Sequence, residues 1–114
     1  MSIPVPIPEL FEQVDRWGWC YLLTVSDGDR SHLLALRPTV VGDGSERKLR
    51  LVTGGGTAWR NARARPAVTL VFPPGDHSDG YSLVVDGEAT VDDATDAATV
   101  DVRPSGAVLH RPAP

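Results

Sequence analysis

Five small residues, Thr53-Gly54-Gly55-Gly56-Thr57, stand directly before the arginine-bearing segment Ala58-Trp59-Arg60-Asn61-Ala62-Arg63-Ala64-Arg65. Glycines let backbone amides approach a ligand closely, because no Cβ stands in the way. Thr57 can cap a helix running to about Arg65, and Pro66 stops its continuation. The start of a helix leaves N–H groups unpaired, and these suit an anion. Arg60, one turn further on, adds a planar fork of donors that fits a phosphate. The chemistry this spacing can do is therefore phosphate binding at a strand-to-helix junction. The run lacks the Gly-Lys-Ser/Thr ending of a nucleotide-triphosphate loop, and it is not the dinucleotide fingerprint. A flexible connection into a capped helix accounts for the same residues equally well.

Other reactive side chains are scattered. Arg60, Arg63 and Arg65 form a basic patch, but Trp59 is its one aromatic and the formal net charge is −4. A solvated helix face fits better than a nucleic-acid surface. Arg37 sits in a strand otherwise rich in Leu, Ala and Val, so its charge needs a carboxylate, a subunit contact or an anionic or heteroaromatic ligand. His32, His77 and His110 have no metal-ligand spacing, and solvation explains the acidic surroundings of His77 (Asp76, Asp79). Asp86 and Glu88 share a strand face, as an acid–base pair or as a solvated surface. The single cysteine, Cys20, excludes an internal disulfide or zinc cluster and reads as a buried, inert thiol. Trp17, Trp19 and Trp59 can line a site for a flat ligand or pack between subunits. No set of nucleophile, base and orienting residue emerges, so no catalytic residue is assigned and no metal is expected.

The elements that must position these residues follow from local pattern. A chain of 114 residues makes one domain, with a core over 8–103, an extended arm over 1–7 and a flexible tail over 104–114. Pro8 in a first turn, Leu10, Phe11, Val14 and Trp17 at helical spacing, and Gly18 as a stop predict a helix over 8–17. Strands are predicted at 19–26, 31–41, 47–53, 67–72, 81–91 and 99–103, with a helix over 57–65. The first two form a hairpin around Asp27-Gly28-Asp29-Arg30. Both are apolar on both faces, which fits a central strand better than an edge. Pro38 conflicts with a continuous second strand and calls for a bulge or a local edge. Gly87 reads as a sharp bend, and 92–98 as a helical turn or a bulged link. The expected fold is mainly β: a six-stranded antiparallel split β-barrel with a short N-terminal helix and one crossover helix after strand three. No long apolar run predicts a membrane span, and the proline-rich start resembles no secretory or transit signal, so a cytoplasmic protein is expected.

The order of these pieces resembles the split-barrel flavin-binding superfamily related to pyridoxamine 5'-phosphate oxidase. WCYLLTVSDGDRSHLLALRP resembles that family's opening strand, Asp-Gly turn and second strand. RLVTGGGTAWRNARARPAVTLVF resembles its strand, phosphate-side helix, Asn-x-Arg-x-x-Pro stretch and following strand, and DGEATVDD its Gly-x-Ala-x-Val strand. The Arg- and Ala-rich composition suits a short actinobacterial-type member. The resemblance implies a homodimer with cofactor in two interface clefts: FMN, or a 5-deazaflavin coenzyme in actinobacterial-looking relatives. It implies an oxidoreductase acting on an unidentified small molecule. A non-catalytic flavin, deazaflavin or haem binding module and a cofactor-free dimeric relative are the alternatives. On that analogy Thr53, Gly56, Thr57 and Arg60 face the phosphate. The backbone of Leu36, Arg37 and Pro38 runs beside the ring, and Trp59 approaches the cofactor or supports the helix. Where the family often carries Ser-Arg-Lys at this helix start, the chain has Gly56, Thr57 and Ala58.

Overall fold

The computed structural model describes residues 1–92 and 98–114. The elements in chain order are β1 (Ser2–Pro4), α1 (Ile7–Trp17), β2 (Cys20–Val25), β3 (Ser31–Leu36), β4 (Thr39–Val41), a 3-10 turn (Gly44–Glu46), β5 (Lys48–Val52), α2 (Thr57–Ala64), β6 (Ala67–Phe72), β7 (Ser82–Val91) and β8 (Thr99–His110). Helix α1 forms for the local reasons the sequence shows. Pro8 occupies its first turn, Leu10, Phe11, Val14 and Trp17 are buried, and Gly18 ends it at φ +80°.

The strands join one antiparallel sheet in the order β3-β2-β6-β7-β8-β5-β4, with β1 on β8. Strands β3 and β4 are its two edges, yet only Arg37 and Pro38 separate them in the chain. A link this short spans about 10 Å at most. The sheet must therefore curl until its edges nearly meet, and the connection closes the barrel through the chain itself. Pro38 marks the switch. Pairing with β2 ends at Leu36, pairing with β5 begins at Thr39, and proline brings no N–H that either ladder would miss.

Alternation along each strand sorts the residues. Cys20, Leu22 and Thr24 of β2 are buried while Tyr21 faces out. Leu49, Leu51, Leu70, Phe72, Leu83, Val85, Val100 and Val102 fill the interior without measurable exposure. Helix α1 adds Leu10, Phe11, Val14 and Trp17 to that core, with the Trp17 ring edge-on to Phe72 at 6.4 Å.

The expected barrel of six strands is corrected to eight strands among the described residues, and the second helix follows β5 rather than strand three. The predicted strand over 31–41 is two strands, because its halves pair with opposite edges. The N-terminal arm is not merely laid on the surface: Ile3 pairs with Leu109, and the Val5 N–H donates to Ala107 O at 2.9 Å. It takes the stretch of β8 beyond the end of β5, whose pairing covers only residues 99–102 of that strand. The predicted strand at 99–103 runs on to His110, so most of the expected tail is ladder. Pro104 and Gly106, both within the expected tail, flank a bulge. Asp86 pairs with Gly106 and Gly87 with Pro104, leaving Ser105 as the extra residue, its hydroxyl donating to Asp86 O at 3.2 Å. The bend expected at Gly87 is this register shift. The link read at 92–98 lies, over 93–97, outside the described residues.

Candidate functional site

The glycine run leaves the end of β5 and enters α2. The Thr53 and Gly54 amides both donate to Ala98 O at 3.1 Å, and the Thr53 hydroxyl donates to Gly54 O (2.8 Å) or Ala98 O (3.3 Å). Thr53 thus anchors the loop. The capping residue of α2 is Gly56, not Thr57 as expected, and no side chain caps the helix. The first helical bond runs from Arg60 N to Gly56 O. The amides of Thr57, Ala58 and Trp59 therefore precede the helical ladder. A Cβ placed on Gly54, Gly55 or Gly56 would meet no atom within 4 Å, so this approach is open.

Arg60 folds back over the same loop. Its guanidinium donates to Gly55 O at 3.2 Å and to Thr57 Oγ1 at 3.3 Å. No acidic residue stands in the first turn of α2. A guanidinium at the positive end of a helix is a like-charge placement, which an anion would relieve. Glycine amides, helix start and guanidinium are donors that stand together at this one loop.

The opposite face of α2 fixes it to the barrel. Ala58, Asn61 and Ala62 are buried, and the Asn61 side-chain amide donates to Thr24 Oγ1 at 3.2 Å inside the core. No local pattern signals this pair, since its two residues lie 37 apart in the chain. Trp59 is half-buried, with the Arg63 guanidinium 5.4 Å from its ring centroid. Among the described residues its buried indole N–H has no acceptor, and the buried His32 Nδ1 on β3 has no partner. Unsatisfied buried polar atoms are uncommon and call for an explanation.

Leu36 is half-buried, Arg37 exposed and Pro38 buried. Thr39 pairs with Arg50, so Arg37 and Pro38 leave the β4–β5 ladder at the end from which the glycine run departs. Among the described residues no hydrogen bond joins the two segments. The Arg37 guanidinium lies across Gly18, 3.2 Å from where a Cβ would stand, and has no ion pair among the described residues. Of the readings open for Arg37, an intrachain salt bridge is absent there.

The remaining candidates are placed as follows. Asp86 accepts from Thr69 Oγ1 at 2.7 Å and makes no hydrogen bond to Glu88 among the described residues. The His77 ring stacks edge-on against Trp17 at 4.5 Å. Among the described residues no group of three His, Cys, Asp or Glu is placed to hold a metal. Cys20 is buried, and burial pushes its thiol from 9.0 up to about 12. Below pH 9 the thiol is neutral in both folded and unfolded chains. As pH rises from 9 toward about 12 the unfolded chain loses this proton first, so this group's contribution to stability is lost. The expected result is slow alkylation by iodoacetamide at pH 8 in the native protein and rapid alkylation in urea. Equal rates would show an accessible thiolate instead.

The outer wall of the barrel divides in two. One half is polar, with Arg50 bidentate to Asp101 (2.8 and 2.9 Å) near Lys48, Thr90 and Arg103. The other half is apolar. Tyr21 pairs with Ala35 and Val71, Leu23 pairs with Leu33, and Val71 with Val84. Leu33 is 54% exposed, Trp19 41% and Tyr21 37%. The apolar two-faced pattern of β3 suggested a central strand, but β3 is an edge.

No family model matches the chain. Uncharacterized proteins of Mycobacterium bovis and Mycobacterium tuberculosis are each 38% identical over 117 residues, covering 96% of this chain and 82% of theirs. Three solved structures share the barrel. The FAD binding protein from Mycobacterium smegmatis gives a TM-score of 0.68 at 19% identity, over 97% of this chain and 100% of that one. A provisionally named pyridoxamine 5'-phosphate oxidase from Listeria innocua gives 0.67 at 16%, over 90% and 95%. An F420 reductase gives 0.64 at 20%, over 92% and 98%. The fold is that of the split-barrel flavin-fold superfamily related to pyridoxamine 5'-phosphate oxidase. By sequence, the chain belongs to the family of the two mycobacterial proteins.

Proposed function

We propose that the protein is a homodimeric oxidoreductase that holds FMN or a 5-deazaflavin coenzyme and acts on a small molecule, in the cytoplasm. The observation that carries this reading is the open, uncapped start of α2 with the Arg60 guanidinium folded onto it. The residues fit the phosphate of such a cofactor. Amides of Gly56, Thr57 and Ala58 would receive it, and Arg60 would replace its weak contacts to Gly55 O and Thr57 Oγ1 with charge-assisted ones. The backbone of Leu36 to Pro38 would flank the ring. The cofactor supplies the electron or hydride transfer, and the chain binds, orients and shields it. The barrel shared with an FAD binding protein and an F420 reductase supports the same reading. The apolar outer half of β2, β3 and β6 would be the surface on which two barrels meet.

Titration with FMN and with a deazaflavin coenzyme tests the site. Arg60→Ala is expected to weaken binding at least tenfold, corresponding to about 1.5 to 3 kcal/mol for a charged hydrogen bond. An unchanged dissociation constant would remove Arg60 from the site. Failure of both cofactors to bind the wild type would end the reading, and tight binding without turnover of the reduced cofactor would replace catalysis with a holding role.

A further inference from the structure

A cavity lies at the opposite end of β5 from the glycine run. Five strand residues, about 16 Å, separate the two ends. Its volume is about 430 Å³, within the usual range for small-ligand pockets of about 300–1,000 Å³. Its floor is apolar: Ile7, Pro8 and Phe11 of α1, and Pro104 beside the β8 bulge. Two guanidiniums stand around that floor, on Arg47 and Arg103.

Neither guanidinium is fully used. Arg47 lies over the Phe11 ring at 4.7 Å and its Nε donates to Gly44 O at 3.0 Å. That pose holds the side chain still and leaves both terminal nitrogens without a hydrogen bond among the described residues. Arg103 faces Glu46 at 3.7 Å, beyond hydrogen-bond reach, with both side chains largely exposed. Arg103 is also the direct cross-strand partner of Glu88 and lies beside Lys48, so the surroundings carry three cations against two carboxylates. A fixed guanidinium fork beside an apolar floor suits a small anionic headgroup, such as a carboxylate, attached to a hydrocarbon body.

We propose that this cavity binds a small amphipathic monocarboxylate, its carboxylate between Arg47 and Arg103 and its apolar body on Phe11, Ile7 and Pro104. The site is separate from the cofactor reading and does not depend on it. The test is a two-dimensional amide NMR titration of the full chain with sodium octanoate, and in parallel with 1-octanol. Octanoate is expected to give saturable shifts at the amides of Phe11, Gly44, Arg47 and Arg103, with octanol at least tenfold weaker. Arg47→Gln and Arg103→Gln should each weaken octanoate about tenfold while the rest of the spectrum stays in place. Absence of shifts, equal response to octanol, shifts confined to the outer wall around Tyr21 and Leu33, or undiminished binding by the double variant would each overturn the proposal.

Discussion

Gly87→Ala is expected to destabilise the fold by about 2 to 3 kcal/mol, at the upper end of overpacking costs, lowering the thermal midpoint by more than about 8 °C. A Cβ at this position would stand 2.6 Å from Arg103 O and 2.6 Å from Val102 Cγ1. Neither can yield cheaply. The first is backbone in the longest ladder of the sheet, and the second belongs to a fully buried core residue. The conflict is one of close packing at the β7–β8 bulge, not of backbone dihedral, since Gly87 is not among the positive-φ residues. Gly106→Ala supplies the internal comparison. It lies on the same bulge, opposite Asp86, but its Cβ would meet nothing within 4 Å. Urea denaturation of the two variants should therefore separate them clearly. Equal midpoints would mean that the bulge relaxes freely and that Gly87 is not a packing requirement.

That bulge also shows what the residue pattern can and cannot reveal. Gly87 was legible as a place where the chain bends, because glycine inside a strand has few other uses. Its partner was not. Pro104 and Gly106 have the local character of a chain end, and only their pairing across to β7 makes them strand. Helix α1 was legible because everything it needs is local: Pro8, the Leu10–Phe11–Val14–Trp17 stripe and Gly18. The split at Pro38 was legible as a conflict but not as a solution, since the solution depends on which distant strand receives Thr39. Within the candidate site, the glycine run and Arg60 fall on neighbouring residues and could be read together. Thr57 was read as the cap because its hydroxyl is the usual capping group, whereas the helix begins one residue earlier and the hydroxyl accepts from Arg60 instead. The buried Asn61–Thr24 bond joins residues 37 apart and has no local signature.

The two-faced apolar pattern of β3 carries the second large effect. Buried central strands are apolar on both sides because something covers each side. Strand β3 is an edge of the sheet, its inner side facing the barrel, and nothing among the described residues covers Leu33 on its outer side. Tyr21, Leu23, Ala35 and Val71 continue the same surface through direct cross-strand pairs. A contiguous apolar surface of this kind favours association, and a second copy meeting it about a twofold axis would cover both patches at once. Wild-type protein is therefore expected to have twice the 12.2 kDa chain mass in light scattering. Leu33→Glu should return it to the single-chain mass by placing an unpaired charge in the covered surface. The barrel itself should survive, because Leu33 points away from the core and is over half exposed. Thr90→Glu, on the polar half of the wall, should leave the mass unchanged. If the cofactor lies at the seam, Leu33→Glu should also weaken FMN or deazaflavin binding while the circular dichroism spectrum holds. A wild type that runs as one chain would remove the dimer, and a variant that keeps the doubled mass would move the interface off β3.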